Sequence, residues 1–307
     1  MRTKADVSTF CRRSQFLQLF AGASFAALSM GALDASSANE PLQSAIDAID
    51  KLEAAGFTGS VLAACGADVI FRRDIFENAE NGKIIRYDVA SVTKWLTAIA
   101  VLSAVDDGIL SLNDPISSFF ADAPDDKRRI TVRQLLTHQS GLPQAYAAEG
   151  RHSRTDAAMA VFGSPLDFPP GESFRYSNDN YSLLAAILEI ASGISYTDFL
   201  SARVLSPLGL DPASFWPTPP RDHEWFPPLL SPLEETGKAI DWGFLGGHGA
   251  RLSVEDMHRI LTGLQDGTLL SPSSIALLRG PHVLLNSGIG VGMGWYLDTD
   301  EAGRRRG

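Results

Sequence analysis

The chain has 307 residues, 45% of them hydrophobic and 20% charged, which suits one large core or two intimately packed lobes. A formal net charge of −10 argues against nucleic acid and anionic membrane surfaces as partners. Two cysteines are too few for a disulfide framework, and the six histidines show no ligand spacing such as His-x-x-x-His, so neither a metal nor another cofactor is expected.

At the N-terminus, Arg12-Arg13, then Phe16-Leu17 and an apolar stretch to Leu33, ending in Ser36-Ser37-Ala38, reads as an export signal over residues 1–38. The arginine pair is of the twin-arginine kind, although Phe-Leu comes one residue later than the commonest spacing. A membrane anchor is the alternative. The short length, the Ala/Gly/Ser content and the cleavage-like end favour removal. That leaves a domain over 39–307, with Cys65 a lone thiol once Cys11 has gone. From Leu42 to Ala55 the pattern predicts an amphipathic helix. Gly59–Cys65 and Val69–Arg72 read as paired strands around a turn at Gly66.

Ser91 to Val105 reads SVTKWLTAIAVLSAV, apolar over its whole circumference, which marks a helix buried in a core. Ser91 is placed as its N-cap and Gly108 as its terminator. A serine hydroxyl is a weak nucleophile at its free pKa and needs a base beside it. Three residues apart on a helix, Ser91 and Lys94 share a face within reach of each other. Burial would lower the lysine's pKa and make it that base. The plainer reading is a surface lysine on the first turn, since a lone Ser-x-x-Lys arises by chance. No serine lies in a Gly-x-Ser-x-Gly elbow, which argues against an α/β-hydrolase.

Further on, Thr131 and Gln134 have capping-box spacing and start a short helix, on which His138 is read as a packing residue. More helices are predicted at Asn180, Tyr196 and Val254. Between the last two, Asp211 to Trp242 is dense in proline and aromatic residues. It reads as an ordered loop or lid that either walls a pocket or packs on the surface. A strand is expected near Trp295, a hairpin turn at Glu301-Ala302-Gly303 and a returning strand from Arg304. Strands at both ends with helices between imply one sheet closed by distant parts of the chain, with an inserted helical lobe.

Several blocks carry a resemblance, in order: Phe57-Thr58-Gly59-Ser60-Val61-Leu62; Ser91-Val92-Thr93-Lys94; Asp114-Pro115-Ile116; TVRQLLTHQSGLP from Thr131 to Pro143; and PGESFRYSN from Pro170 to Asn178. Together they resemble the superfamily of serine β-lactamases, penicillin-binding proteins and family VIII carboxylesterases, in its class C-like branch. The resemblance implies Ser91 as nucleophile, Lys94 as base or proton shuttle, and Tyr176 as the second proton-transfer residue. Asn178 would hold the lysine and a substrate amide or carbonyl. A tyrosine beside a lysine ammonium is favoured as phenolate, so Tyr176 is expected to accept the serine proton and return it to a leaving group. An aromatic packed before a helix is its plainer reading.

The family's third motif, Lys or His, a variable residue, then Gly, lies on an inner-facing edge strand. Gly290 to Leu297 resembles the strand before it, and the sequence stops at Gly307 where the motif is expected. His248-Gly249 precedes a helix and is not taken for it. The expected fold is thus α+β, a β-lactamase/transpeptidase-like antiparallel sheet flanked by helices with a helical lobe, C-terminally incomplete. A lost oxyanion donor and an exposed sheet edge would leave such a chain weakly active or inactive. A fragment or a frameshifted reading of a longer gene is also open. Taken whole, the resemblance implies an exported bacterial serine hydrolase, periplasmic or secreted, without stable membrane insertion after signal cleavage. It would act through an acyl-enzyme on a small-molecule ester, peptide or β-lactam. The choice among these stays open, and a catalytically impaired binding protein of the same fold is the rival.

Overall fold

The computed structural model describes residues 17–21, 28–30, 39–76, 82–211, 214–215, 218–226, 241–285, 288–299 and 305–306. Its first sheet is antiparallel, in the order β2-β1-β3-β4, from Leu17–Ala21 (β1), Leu28–Met30 (β2), Gly59–Cys65 (β3) and Asp68–Ile75 (β4). β3 and β4 turn at Gly66, whose φ of +60° favours glycine. Every residue of β3 is buried. Its side chains alternate, so Leu62 and Ala64 enter the main core while Val61 meets Ile49 of helix α1 (Asn39–Ala54). β1 takes the remaining edge, with Leu17 opposite Cys65. Most of the expected export signal lies outside the described residues. Cys65 is disulfide-bonded rather than a lone thiol; the lone-thiol expectation removes the chain's other cysteine together with the N-terminal segment.

Helix α2 (Thr93–Asp106) runs through the core, buried without a break from Thr93 to Ala104. Its apolar circumference dictates this, because no face is polar enough to be left in water. It ends as expected at Gly108, φ +70°, where the Gly108 N–H donates to the Val105 carbonyl at 3.0 Å and the Ile109 N–H to Ala104 at 2.9 Å. Its start differs from expectation. Ala90–Val92 form a 3-10 turn, Val92 occupies the cap position, and no side chain caps it. The Ser91 hydroxyl is engaged elsewhere.

Val132–Leu136 (α3) begins at the capping box read from the sequence: the Gln134 N–H donates to Thr131 Oγ1 at 3.3 Å, and the Thr131 N–H to Gln134 Oε1 at 2.9 Å. Arg154–Phe162 (α4) was not among the predicted helices. Asn178–Ser192 (α5), Tyr196–Leu200 (α6) and Val254–Gln265 (α7) stand where helices are predicted, and Pro272–Arg279 (α8) is a second addition. Both additions start at a serine, Ser153 or Ser271, whose hydroxyl accepts a backbone N–H of the first turn. α5, α6 and α8 pack around α2, and α7 packs on β3.

Short strands tie the loops together. Ile84–Ile85 (β5), Tyr87–Asp88 (β6), Ser214–Phe215 (β7), Glu224–Trp225 (β8) and Ala250–Leu252 (β9) pair as β5-β8 and β6-β9-β7. β7 and β8 belong to the Pro- and aromatic-rich stretch, of which residues 212–213, 216–217 and 227–240 lie outside the described residues. Val283–Leu284 (β10), Gly290–Val291 (β11), Tyr296–Thr299 (β12) and Arg305–Arg306 (β13) form a second four-stranded sheet. The two chain ends therefore occupy two sheets, not the single sheet expected, because β1 fills the edge of β3. Residues 290–297, expected as one strand, bend between β11 and β12. Gly294, φ +84°, lies against the start of α2, where a Cβ would come within 2.8 Å of the Lys94 carbonyl oxygen. β12 and β13 pair as the predicted hairpin requires, while its turn, residues 301–303, lies outside the described residues.

Candidate active site

Ser91 sits exposed on the 3-10 turn before α2, preceded by Ala90 at φ +43°. That left-handed backbone is unfavourable for alanine, and the Ala90 N–H bond to Asp88 Oδ1 at 2.8 Å helps to hold it. One helical turn on, Lys94 is 2% exposed. Its Nζ lies 2.7 Å from Asn178 Oδ1, 3.0 Å from the Gly247 carbonyl oxygen and 3.3 Å from Ser91 Oγ. The Tyr176 hydroxyl is 2.9 Å from Ser91 Oγ. Ser91, Lys94, Tyr176 and Asn178, each singled out in the sequence, thus meet at one point.

Burial lowers the Lys94 pKa from 10.5 to about 7. The protonation state then dictates the hydrogen bonds. An ammonium has three donors, which match the three oxygens around it. A neutral amine has two hydrogens and one lone pair. The Asn178 and Gly247 oxygens are acceptors only, so they take both hydrogens and the lone pair is left for the Ser91 hydroxyl. Asn178 and Gly247 thereby aim the amine at the serine.

Tyr176 departs from expectation. Burial is the largest influence on its pKa and raises it; the hydrogen bond shared with Ser91 opposes this without reversing it. Desolvation outweighs what opposes it, so the resting side chain is a phenol, not the phenolate expected. His138 is buried at φ +57° and receives the Ser177 N–H on Nδ1 at 3.2 Å. Its ring lies 4.6 Å from that of Tyr176. Burial, and then the charge of Lys94, hold its pKa down to about 3, so it is uncharged packing that sets the direction of Tyr176.

Two participants escaped the sequence reading. The Gly246-Gly247-His248-Gly249 loop brings the Gly247 carbonyl to Lys94 and His248 Nε2 to 3.3 Å from Ser91 Oγ. The signal was the glycine density. A Cβ on Gly246, φ +75°, would lie 2.2 Å from the Tyr181 carbonyl oxygen, so only glycine lets the loop lie on α5. Among the described residues one His/Asp/Glu group has metal-like spacing, Asp211, His223 and Glu224. Its carboxylates are already committed to ion pairs: Glu224 to Arg86 at 2.8 Å and Arg221 at 3.1 Å, Asp211 to Arg221 at 3.6 Å.

A family model described as Beta-lactamase matches residues 83–305. A penicillin-binding protein of Bacillus subtilis (strain 168) is 30% identical over 280 residues, which cover 81% of this chain and 61% of the relative. The octameric penicillin-binding protein homologue from Pyrococcus abyssi superposes with a TM-score of 0.70 at 23% identity, covering 87% of this chain and 66% of that one. The D-amino acid amidase from Ochrobactrum anthropi SV3 does so with a TM-score of 0.56 at 20% identity, covering 95% and 79%. At such identities the two structures speak for the fold. The chain spans about three fifths of the curated relative's length.

Proposed function

The chain belongs to the beta-lactamase family, and from that premise we propose that it is an exported serine hydrolase working through an acyl-enzyme on Ser91. The observation that carries this reading is the placement of Lys94, a buried amine aimed at the serine hydroxyl by two acceptors. Neutral Lys94 takes the Ser91 proton as Oγ attacks the substrate carbonyl. The Ser91 backbone N–H is an oxyanion donor. Tyr176, a phenol at rest, gives its proton to the leaving group and becomes a phenolate facing the new Lys94 ammonium. Water then loses a proton to that phenolate and its hydroxide attacks the acyl carbon. Oγ departs and recovers its proton from Lys94, so every group returns to its resting state.

The substrate is a small ester, D-amino-acid amide or β-lactam. The name of the curated relative, penicillin-binding protein, supports the last. Intact-mass analysis after exposure to a fluorophosphonate and, separately, a labelled penicillin tests the proposal. One adduct mapping to Ser91, absent in a folded Ser91→Ala variant, is expected. Equal labelling of the variant refutes the assignment. A fluorophosphonate adduct with no turnover of ester or amide substrates would leave the protein a binder rather than a hydrolase.

A further inference from the structure

The cycle above leaves one group at the serine without a task. His248 Nε2 lies 3.3 Å from Ser91 Oγ, on the side of the site formed by the Gly246–Gly249 loop. Its ring is set by Tyr146 at 5.9 Å and by Phe244, edge-on, at 6.2 Å. Nδ1 is buried with no hydrogen-bond partner among the described residues.

That orphan nitrogen selects the tautomer. Burial, and then the charge of Lys94, lower the His248 pKa to about 4, so near neutral pH the ring carries one proton. A proton on Nδ1 would be a buried N–H without an acceptor, at a cost of about 1–3 kcal/mol and rare in native structures. A proton on Nε2 leaves only a lone pair at Nδ1 and directs the N–H at Ser91 Oγ.

The serine has room for it. A hydroxyl offers one donor and two acceptor lone pairs. Neutral Lys94 receives the O–H, the Tyr176 hydroxyl donates to one lone pair, and the second is open. When Nζ takes the proton, the O–H electron pair stays on Oγ and becomes the new Oγ–C bond, so attack does not displace the donors. When Tyr176 turns its proton to the leaving group, one donor remains. In the second half-reaction the Oγ–C pair returns to Oγ as negative charge, before Lys94 returns the proton.

We propose that His248 is a catalytic hydrogen-bond donor whose Nε2–H holds the charge that develops on Ser91 Oγ as it attacks and as it departs. The inference rests on Ser91 being the nucleophile. The test compares wild type, His248→Ala and His248→Gln in the rate of fluorophosphonate labelling of Ser91 and in hydrolysis of a nitrophenyl ester, from pH 5 to 9. Removing one oxyanion-hole donor costs about 10²–10³-fold, and a donor to the other oxygen on which charge develops is set at the low end of that range, so His248→Ala is expected to slow both reactions by about 10²-fold. Glutamine keeps an N–H at a similar reach but does not take up a proton. His248→Gln should therefore retain most of the rate, with the rising pH limb unmoved. Equal rates in wild type and His248→Ala overturn the proposal. So does His248→Gln as slow as His248→Ala, with a shifted pH limb, which would make His248 a base. Melting temperatures of both variants separate a lost donor from a lost fold. Failure of wild type to label at Ser91 would instead remove the nucleophile assignment on which the proposal stands.

Discussion

At Lys94 the protein places an amine where water cannot reach it and surrounds it with oxygens instead of carboxylates. The pKa near 7 follows from burial, and a pH dependence follows from that. The acylation rate should rise with pH through about 7 as Lys94 loses its proton, and labelling rates across that range check it. Lys94→Arg, whose guanidinium stays charged, should lose about 10²–10⁴-fold, the usual worth of a general base, while remaining folded. Stability carries the same signature with a definite sign. The folded-state pKa lies below the ordinary 10.5, so between about 7 and 10.5 the unfolded chain binds more protons at this residue. Its contribution to stability therefore grows as pH rises through that window. The nearness of Ser91 and Lys94 was legible because a spacing of three brings side chains together on a 3-10 turn running into a helix as it does on a helix. The state of Tyr176 was not, because desolvation depends on what packs over the ring.

The element that most constrains the site is the loop from Gly246 to Gly249. Thr97 Oγ1 donates to the Gly246 carbonyl at 2.6 Å and Lys94 Nζ to the Gly247 carbonyl at 3.0 Å, so α2 holds the loop from below. On its other side the loop lies on α5, too close for any side chain at Gly246. Gly246→Ala would force a left-handed alanine against the Tyr181 carbonyl. The expected loss is about 2 kcal/mol or more, read as a lower denaturation midpoint. Labelling at Ser91 should fall further than the folded fraction does, since the Gly247 carbonyl and His248 shift together. A variant with unchanged midpoint and unchanged labelling would show that the loop yields freely. From sequence this segment read as the approach to α7, which it is; its second face, toward the lysine, exists only once α5 has packed on α2.

At the scale of the molecule, distant segments are joined by Arg86, buried between β5 and β6 and 3% exposed. It pairs with Glu224 of β8, whose side chain is fully buried, and with Asp256, which also closes the capping box at the start of α7. Both carboxylates are cut off from most water, Glu224 keeping Arg221 at 3.1 Å and Asp256 the Ser253 N–H at 2.9 Å. Arg86→Ala is expected to cost about 3 kcal/mol, chiefly by removing the cation buried between them, and Arg86→Met less if the space stays filled. Chemical denaturation of both variants checks this, and a loss under 1 kcal/mol would mean that water reaches the pair. α2 anchors the other side of the fold with a different currency, apolar area, and its neighbours α5, α6 and α8 complete that core.

Local patterns determined much of this protein. The turn at Gly66, the buried α2 with its glycine stop, the capping box at Thr131 and Gln134 and the helices at Asn178, Tyr196 and Val254 all depend on residues close in sequence. So does the pairing of Ser91 with Lys94. The tertiary structure alone decided which strand fills the edge of β3, that Ser91 lies on a 3-10 turn instead of capping a helix, and that Tyr176 rests as a phenol. It alone brought His248 to the serine, 157 residues away along the chain. Short-range sterics and hydrogen bonds are written in neighbouring residues. Desolvation and long-range contact depend on the sum of everything packed around a group, and that sum exists only in the folded chain.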